Sequence, residues 1–137
     1  MTDQSMSDQD VPPVDVPEAG LAITAERSGP AALPKGLTAD SRSVYVSASR
    51  LTEPLIVRSW LPGDGLKPMG IGGRKKVQDV FMDRKVPRLA RRTVPIVADE
   101  SGGIIWVVGH TLSEDFRVIS DAEGMLILKA RKLGGIG

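Results

Sequence analysis

Eight of the nineteen residues from Arg74 to Arg92 are basic (Arg74, Lys75, Lys76, Arg84, Lys85, Arg88, Arg91 and Arg92), and only Asp79 and Asp83 oppose them. Cations at that density neutralise a polyanion, and a nucleic-acid backbone is the plainest match. Arg88, Arg91 and Arg92 are spaced to share one helical face behind Pro87, and guanidinium groups suit bidentate contact with phosphate or a guanine edge. For any single arginine the other reading is internal pairing with Asp64, Asp79 or Asp83. Gly63, Gly70, Gly72 and Gly73 precede the cluster and are read as the residues that shape its loops.

Catalytic equipment is sparse beside this. Gly70-Ile71-Gly72-Gly73-Arg74-Lys75-Lys76 lacks the Gly-Lys-Ser/Thr ending that a phosphate-cradling, magnesium-binding loop requires. His110 is the single histidine, cysteine is absent, and no His or carboxylate pair has metal-ligand spacing, so neither a catalytic residue nor a metal site is assigned. His110 follows Val108-Gly109 and reads as a strand-end residue satisfied by local hydrogen bonds. Trp60, ahead of Pro62-Gly63, is a core residue or a rim residue able to stack on a base. Few aromatics and many cations fit folded or double-stranded RNA better than a single-strand platform.

The elements that must hold these residues follow from apolar periodicity. Val77, Val80 and Phe81 fall at i, i+3 and i+4, which predicts an amphipathic helix over residues 74–86, stopped by Pro87. Its first turn then begins with three cations where the macrodipole favours anions, a conflict that a bound phosphate resolves and a solvated surface tolerates. The remaining apolar runs are short and branched: Val44–Val46, Leu55–Val57, Val94–Val97, Ile104–Val108, Phe116–Ile119 and Met125–Leu128. They predict an α+β domain that is mostly β, with one main amphipathic helix and a hairpin at Ala98–Gly103.

Charge divides the chain. Residues 1–40 carry seven acids and two bases, a net of −5, whereas residues 41–137 carry a net of +6. The expected organisation is an acidic, Pro-rich, unstructured leader over 1–42, a domain over 43–132 and a flexible tail over 133–137. With no cysteine, no signal-like start and no long apolar run, a cytoplasmic protein without membrane attachment is expected.

An ordered series of motifs then carries a family resemblance. Leu55-Ile56-Val57-Arg58, Pro62-Gly63-Asp64, Lys67-Pro68-Met69-Gly70, Lys75-Lys76-Val77-Gln78-Asp79-Val80-Phe81, Asp83-Arg84-Lys85-Val86-Pro87, Val94-Pro95 and Ile105-Trp106-Val107-Val108-Gly109 resemble the C-terminal domain of bacterial tRNA(Ile)-lysidine synthetase. The resemblance covers about residues 43–130. It implies a small mixed β-sandwich-like core with a helical insertion that helps hold tRNA, an isoleucine tRNA gripped towards its acceptor stem. The family enzyme is an ATP-dependent ligase that attaches lysine to the wobble cytidine of that tRNA. Its ATP and magnesium belong to an N-terminal domain with a Ser-Gly-Gly-x-Asp-Ser loop, which this sequence does not contain, so no cofactor is expected here. The chain is therefore expected to be a detached C-terminal piece or a free-standing relative, RNA-binding and not catalytic by itself. A protein-interaction domain docking on a separate catalytic subunit is the alternative. Departures from the family pattern fall at Gly65, Leu89, Thr93 and Thr111, where the family often has basic or aromatic residues.

Overall fold

Branched apolar residues in short runs pair more readily than they coil, and here they pair into two antiparallel sheets. The computed structural model describes residues 4–6, 14–28, 43–118 and 124–132. In chain order the elements are strands β1 (Gln4–Met6), β2 (Val14–Val16), β3 (Leu21–Ser28), β4 (Ser43–Ser47), β5 (Leu55–Arg58), β6 (Gly65–Leu66) and β7 (Lys75–Lys76), helices α1 (Val77–Asp83) and α2 (Arg88–Arg91), then β8 (Ile96–Ala98), β9 (Ile104–Val107), β10 (Thr111–Leu112) and β11 (Met125–Lys132). One sheet has the order β1-β5-β8-β9-β10 and the other β2-β3-β11-β4, while β6 and β7 form a separate two-stranded ribbon. The domain is mostly β with one main helix, as its apolar pattern predicts.

Alternation of side chains explains the layering. Val97 pairs with Trp106 and Ile96 with Val107 across the β8–β9 ladder, so the two pairs face opposite sides. Val97, Trp106 and Ile105 meet Val14, Val16, Ile23, Val44, Val46, Leu126 and Leu128 of the second sheet. Ile96, Ile104 and Val107 meet Leu66 and the buried face of α1, Val77, Val80 and Phe81. The five-stranded sheet is therefore covered on both faces, which is why Ile104–Val107 is apolar at every position and buried throughout. Three layers result: the four-stranded sheet, the five-stranded sheet, and a helical layer that carries the basic segment.

The β8–β9 connection closes around one carboxylate. Asp99 accepts hydrogen bonds from the Ser101 amide (3.1 Å), the Ser101 hydroxyl (2.5 Å) and the Gly103 amide (3.1 Å), and its other oxygen accepts from the Thr52 amide at 3.0 Å. Asp99 is 1% exposed, and four donors to one buried carboxylate satisfy it locally. This is the hairpin expected at Ala98–Gly103.

Residues 14–28 depart from the expected leader. β3 pairs with β11 at eight successive positions, from Met125 opposite Ser28 to Lys132 opposite Leu21, and Val14, Val16 and Ile23 enter the core. The segment is too poor in apolar residues to fold alone, but Val14 and Val16 alternate with the exposed Asp15, and β11 offers a partner ladder. The domain thus begins well before residue 43. The parts of the expected leader at 1–3, 7–13 and 29–42, and the expected tail at 133–137, lie outside the described residues. A second departure is at Phe116–Val118, the described part of the expected run, whose last residue, Ile119, lies outside the described residues. Glu114–Phe116 forms a 3-10 turn in which Ser113 accepts from the Asp115 amide, Phe116 is buried, and Arg117 pairs with Val46 as an isolated bridge outside any strand. A capping serine three residues before Phe116 draws the backbone into a turn and away from a strand.

Candidate nucleic-acid interface

The basic segment is held by the Pro62-Gly63-Asp64 turn. Asp64 accepts two parallel hydrogen bonds from Arg58 (Nη1 at 2.9 Å, Nη2 at 3.1 Å) and a third from the Leu61 amide at 2.7 Å. Its backbone carbonyl accepts from the Val77 amide at 2.9 Å, which ties the turn to the start of α1. Gly63, Gly70 and Gly72 all have positive φ, whereas Gly73 does not. Gly70 and Gly72 are the pair that matters for the loop, because two positive-φ residues two positions apart turn the chain within Pro68–Gly73, and a side chain at either would be strained. The loop is also pinned: the Met69 amide donates to Leu112 at 3.0 Å and the Gly70 amide to Glu114 Oε1 at 3.2 Å.

The helix is shorter than its periodicity predicts. Lys75 and Lys76 lie in β7, opposite Leu66 and Gly65, and α1 starts only at Val77. The two lysines thus lie outside the helix, whose first turn carries Asp79, in line with the macrodipole. This removes the expected clash of cations with the helix start, and with it the argument for a phosphate on the helix N-terminus. Ladder pairing with β6 satisfies backbone groups that a longer helix would otherwise have taken.

The end of α1 has an unusual residue. The Val86 amide donates to the Phe81 carbonyl at 2.9 Å and the Lys85 amide to Met82 at 3.0 Å, the paired bonds of a Schellman motif. Its left-handed position, which favours glycine, is taken by Lys85 at φ 56°. Pro87 then starts the turn that becomes α2.

Of the eight predicted contact residues, Arg74, Lys76, Arg84, Lys85, Arg88 and Arg92 are exposed, while Lys75 and Arg91 are half-buried. Lys75 is ion-paired with Asp83. Arg84 donates through Nε to Nδ1 of His110 at 3.0 Å. An accepting Nδ1 must carry a lone pair, so in this arrangement the ring proton sits on Nε2. Arg91 donates to the Val86 carbonyl at 3.0 Å, and its guanidinium lies 5.9 Å from the Phe81 ring centre. Arg91 is therefore part of the packing that joins α2 to α1. Trp60 packs edge-on against Phe81 with ring centres 5.7 Å apart, and Phe81 in turn meets His110 at 5.8 Å. Trp60 is a packing residue on this evidence of contact, and the ring array carries His110 to the surface of the helical layer.

Five residues that the sequence reading did not assign to the site, Met69, Ile71, Asp83, His110 and Thr111, complete it. A cleft of about 300 Å³ opens between the Pro68–Ile71 loop and α1, lined by Met69 and Ile71 on one side, Lys75, Asp83 and Arg84 on the other, and His110 and Thr111 at the end. Large apolar residues in a loop between Lys67-Pro68 and Gly72-Gly73 were the available signal. Among the described residues, the exposed large apolar ones, Leu61, Met69, Ile71, Met82 and Leu89, all fall between residues 61 and 89, within the same layer as the cations. Among the described residues no group of three or more His, Cys, Asp or Glu could hold a metal ion, and no helix is long and apolar enough to cross a membrane.

Several known proteins are similar to this chain. The chain is 39% identical over 103 residues to the tRNA(Ile)-lysidine synthase of Symbiobacterium thermophilum, which spans 74% of this chain and 20% of that protein. With the same enzyme of Geobacter sulfurreducens it shares 37% identity over 78 residues, 57% of this chain and 16% of that protein. The chain therefore matches a fifth or less of the length of these relatives. The crystal structure of a TilS C-terminal domain superimposes with a TM-score of 0.79 and 26% identity, covering 98% of this chain and all of that one. An N-terminal fragment of the phenylalanyl-tRNA synthetase β-subunit from Pyrococcus horikoshii shares the fold alone, with a TM-score of 0.56 and 15% identity over 64% of this chain and 27% of that one. Residues 55–128, which hold four strands of the five-stranded sheet (β5, β8, β9 and β10), the ribbon and both helices, match the TilS substrate C-terminal domain, and the chain accordingly belongs to the TilS substrate C-terminal domain family.

Proposed function

We propose that this chain is a tRNA-binding module that serves the lysidine-forming reaction, gripping an isoleucine tRNA towards its acceptor stem. The observation that carries the reading is the exposure of six of the eight clustered cations on the outer layer, away from the sandwich core. Arg74, Lys76, Lys85, Arg88 and Arg92 are the phosphate contacts, with Arg84 and Lys75 beside the cleft and Arg91 as their support. The ATP-dependent chemistry, with its magnesium, then belongs to a catalytic region outside the matched fifth of the relatives, in the same polypeptide or a partner. A cytoplasmic setting fits this role.

The test is a salt titration followed by fluorescence anisotropy against isoleucine tRNA, an unrelated tRNA and an RNA duplex. Phosphate contacts release counterions, so affinity falls as salt rises. Replacing Arg88 and Arg92 together by Ala is expected to weaken binding and to reduce the salt slope by about 2. An unchanged slope removes both from the interface, and equal affinity for all three RNAs reduces the module to a generic basic surface.

A second reading, docking on a separate catalytic subunit, is favoured by Leu89 and Met82, which stand exposed among the cations. It predicts a complex with the catalytic part of a lysidine synthase that forms without RNA and is lost in Leu89→Glu. Absence of that complex in sedimentation leaves RNA as the partner.

A further inference from the structure

We propose that the cleft between the Pro68–Ile71 loop and α1 receives a single unstacked nucleotide of the bound RNA, its base against Met69 and Ile71 and its phosphate on Lys75 and Arg84. The inference rests on the RNA-binding reading above and deepens it. At about 300 Å³ the cleft stands at the lower end of small-molecule sites, which run from about 300 to 1,000 Å³. It has room for one nucleotide and none for a duplex, which would meet only the rim.

The chemistry of the walls matches a nucleotide part by part. Ile71 is 59% exposed and Met69 37%, two large apolar side chains held in water at the mouth of a basic surface. Every base has an apolar face that gains from covering such groups, and unstacked bases are held this way between apolar side chains. Lys75, Asp83 and Arg84 together leave the opening with a net positive charge. Asp83 is ion-paired with Lys75, so the carboxylate does not stand as an uncompensated anion against a phosphate. Its oxygens and the Thr111 hydroxyl are acceptors suited to the exocyclic amino group of adenine or cytosine.

The site is also pre-formed. Besides the Met69 and Gly70 bonds to Leu112 and Glu114, Ile71 donates to the Pro68 carbonyl at 3.3 Å and Pro68 bridges to Ser113. A loop fixed at both ends loses little freedom when a ligand enters. An unpaired terminal nucleotide is the cheapest to place there, because no base pair has to be broken.

The experiment uses the full chain with backbone amides and Ile and Met methyl groups labelled for NMR, titrated with a blunt RNA duplex and with the same duplex carrying one unpaired 3′ adenosine. The Ile71 and Met69 methyl signals are expected to shift only with the unpaired nucleotide, while the Arg88 and Arg92 amides shift with both RNAs. Ile71→Ala, at an exposed position, is expected to weaken the overhang duplex at least threefold and leave the blunt duplex unchanged. Arginine shifts without methyl shifts, or equal methyl shifts with both RNAs, overturn the cleft proposal and leave the RNA-binding reading standing. No response to either RNA overturns both.

Discussion

Lys85 is the residue where local stability and the basic surface conflict. A lysine in the left-handed region costs about 1–2 kcal/mol relative to a right-handed conformation, and glycine at the same place avoids most of that cost. Lys85→Gly is therefore expected to raise stability by about 0.5–1 kcal/mol after the greater chain entropy of glycine is counted. Urea denaturation checks the gain, and an anisotropy titration checks the expected loss of tRNA affinity with a salt slope lower by about 1. Stability gained with no change in binding would mean that the strain has nothing to do with RNA. Arg91 behaves in the opposite sense. Its bond to the Val86 carbonyl and its position over Phe81 make Arg91→Ala destabilising by about 1–2 kcal/mol, with a smaller effect on the salt slope than Arg88→Ala. The cluster was legible in the sequence, but this division of labour was not. Spacing puts Arg88, Arg91 and Arg92 on one short helix, and only the position of the Phe81 ring decides which of them turns inward.

At the scale of elements, the helical layer depends on one turn. Arg58 and Asp64 are nearly buried (15% and 12% exposed side chains) and joined by a two-pronged ion pair, and Asp64 also fixes the turn that leads to β6. Asp64→Ala leaves the guanidinium with the Ser59 carbonyl but without its carboxylate and is expected to cost about 2–3 kcal/mol. Thermal unfolding measures that cost, and protease cleavage between residues 62 and 76 should appear before the sandwich melts. Survival of the ribbon intact would show that the β6–β7 ladder suffices without the aspartate. Sequence periodicity predicted α1 but began it three residues early, because a run of cations after two glycines carries no sign of a two-residue ladder. The Pro-Gly-Asp motif was visible as a motif. Its role as the acceptor for Arg58 was not, since that pairing joins a strand end to a turn across the helical layer. Phe116 is the complementary case: an apolar run reads as a strand, and a capping serine turns it instead.

For the whole molecule, the four-stranded sheet needs both sides of the chain. A version beginning at residue 43 loses β2 and β3, uncovers one edge of β11, and removes Val14, Val16 and Ile23 from the core. It is expected to lose its cooperative thermal transition and to aggregate through the freed edge. An unchanged melting temperature would show that residues 14–28 are dispensable. A mostly β domain was readable from the branched runs after residue 43 and its sandwich-like core from the family resemblance, but the contribution of residues 14–28 was hidden by prolines and acids, because a strand buried on one side needs only two or three apolar positions. Pairing direction adds a mechanical property to this sheet. β11 is the last strand in the described chain and an inner strand in space, with β3 and β4 on its two sides. Lys132 lies opposite Leu21 and Lys129 opposite Ser43, so the carboxy-terminal end of β11 meets the amino-terminal ends of both neighbours. A pull that separates Lys132 from Leu21, or Lys129 from Ser43, loads that ladder as a zipper, opening one rung at a time. The strand that thermodynamics makes central is thus the one that a processive unfoldase, drawing on the carboxy-terminal end, would strip out first.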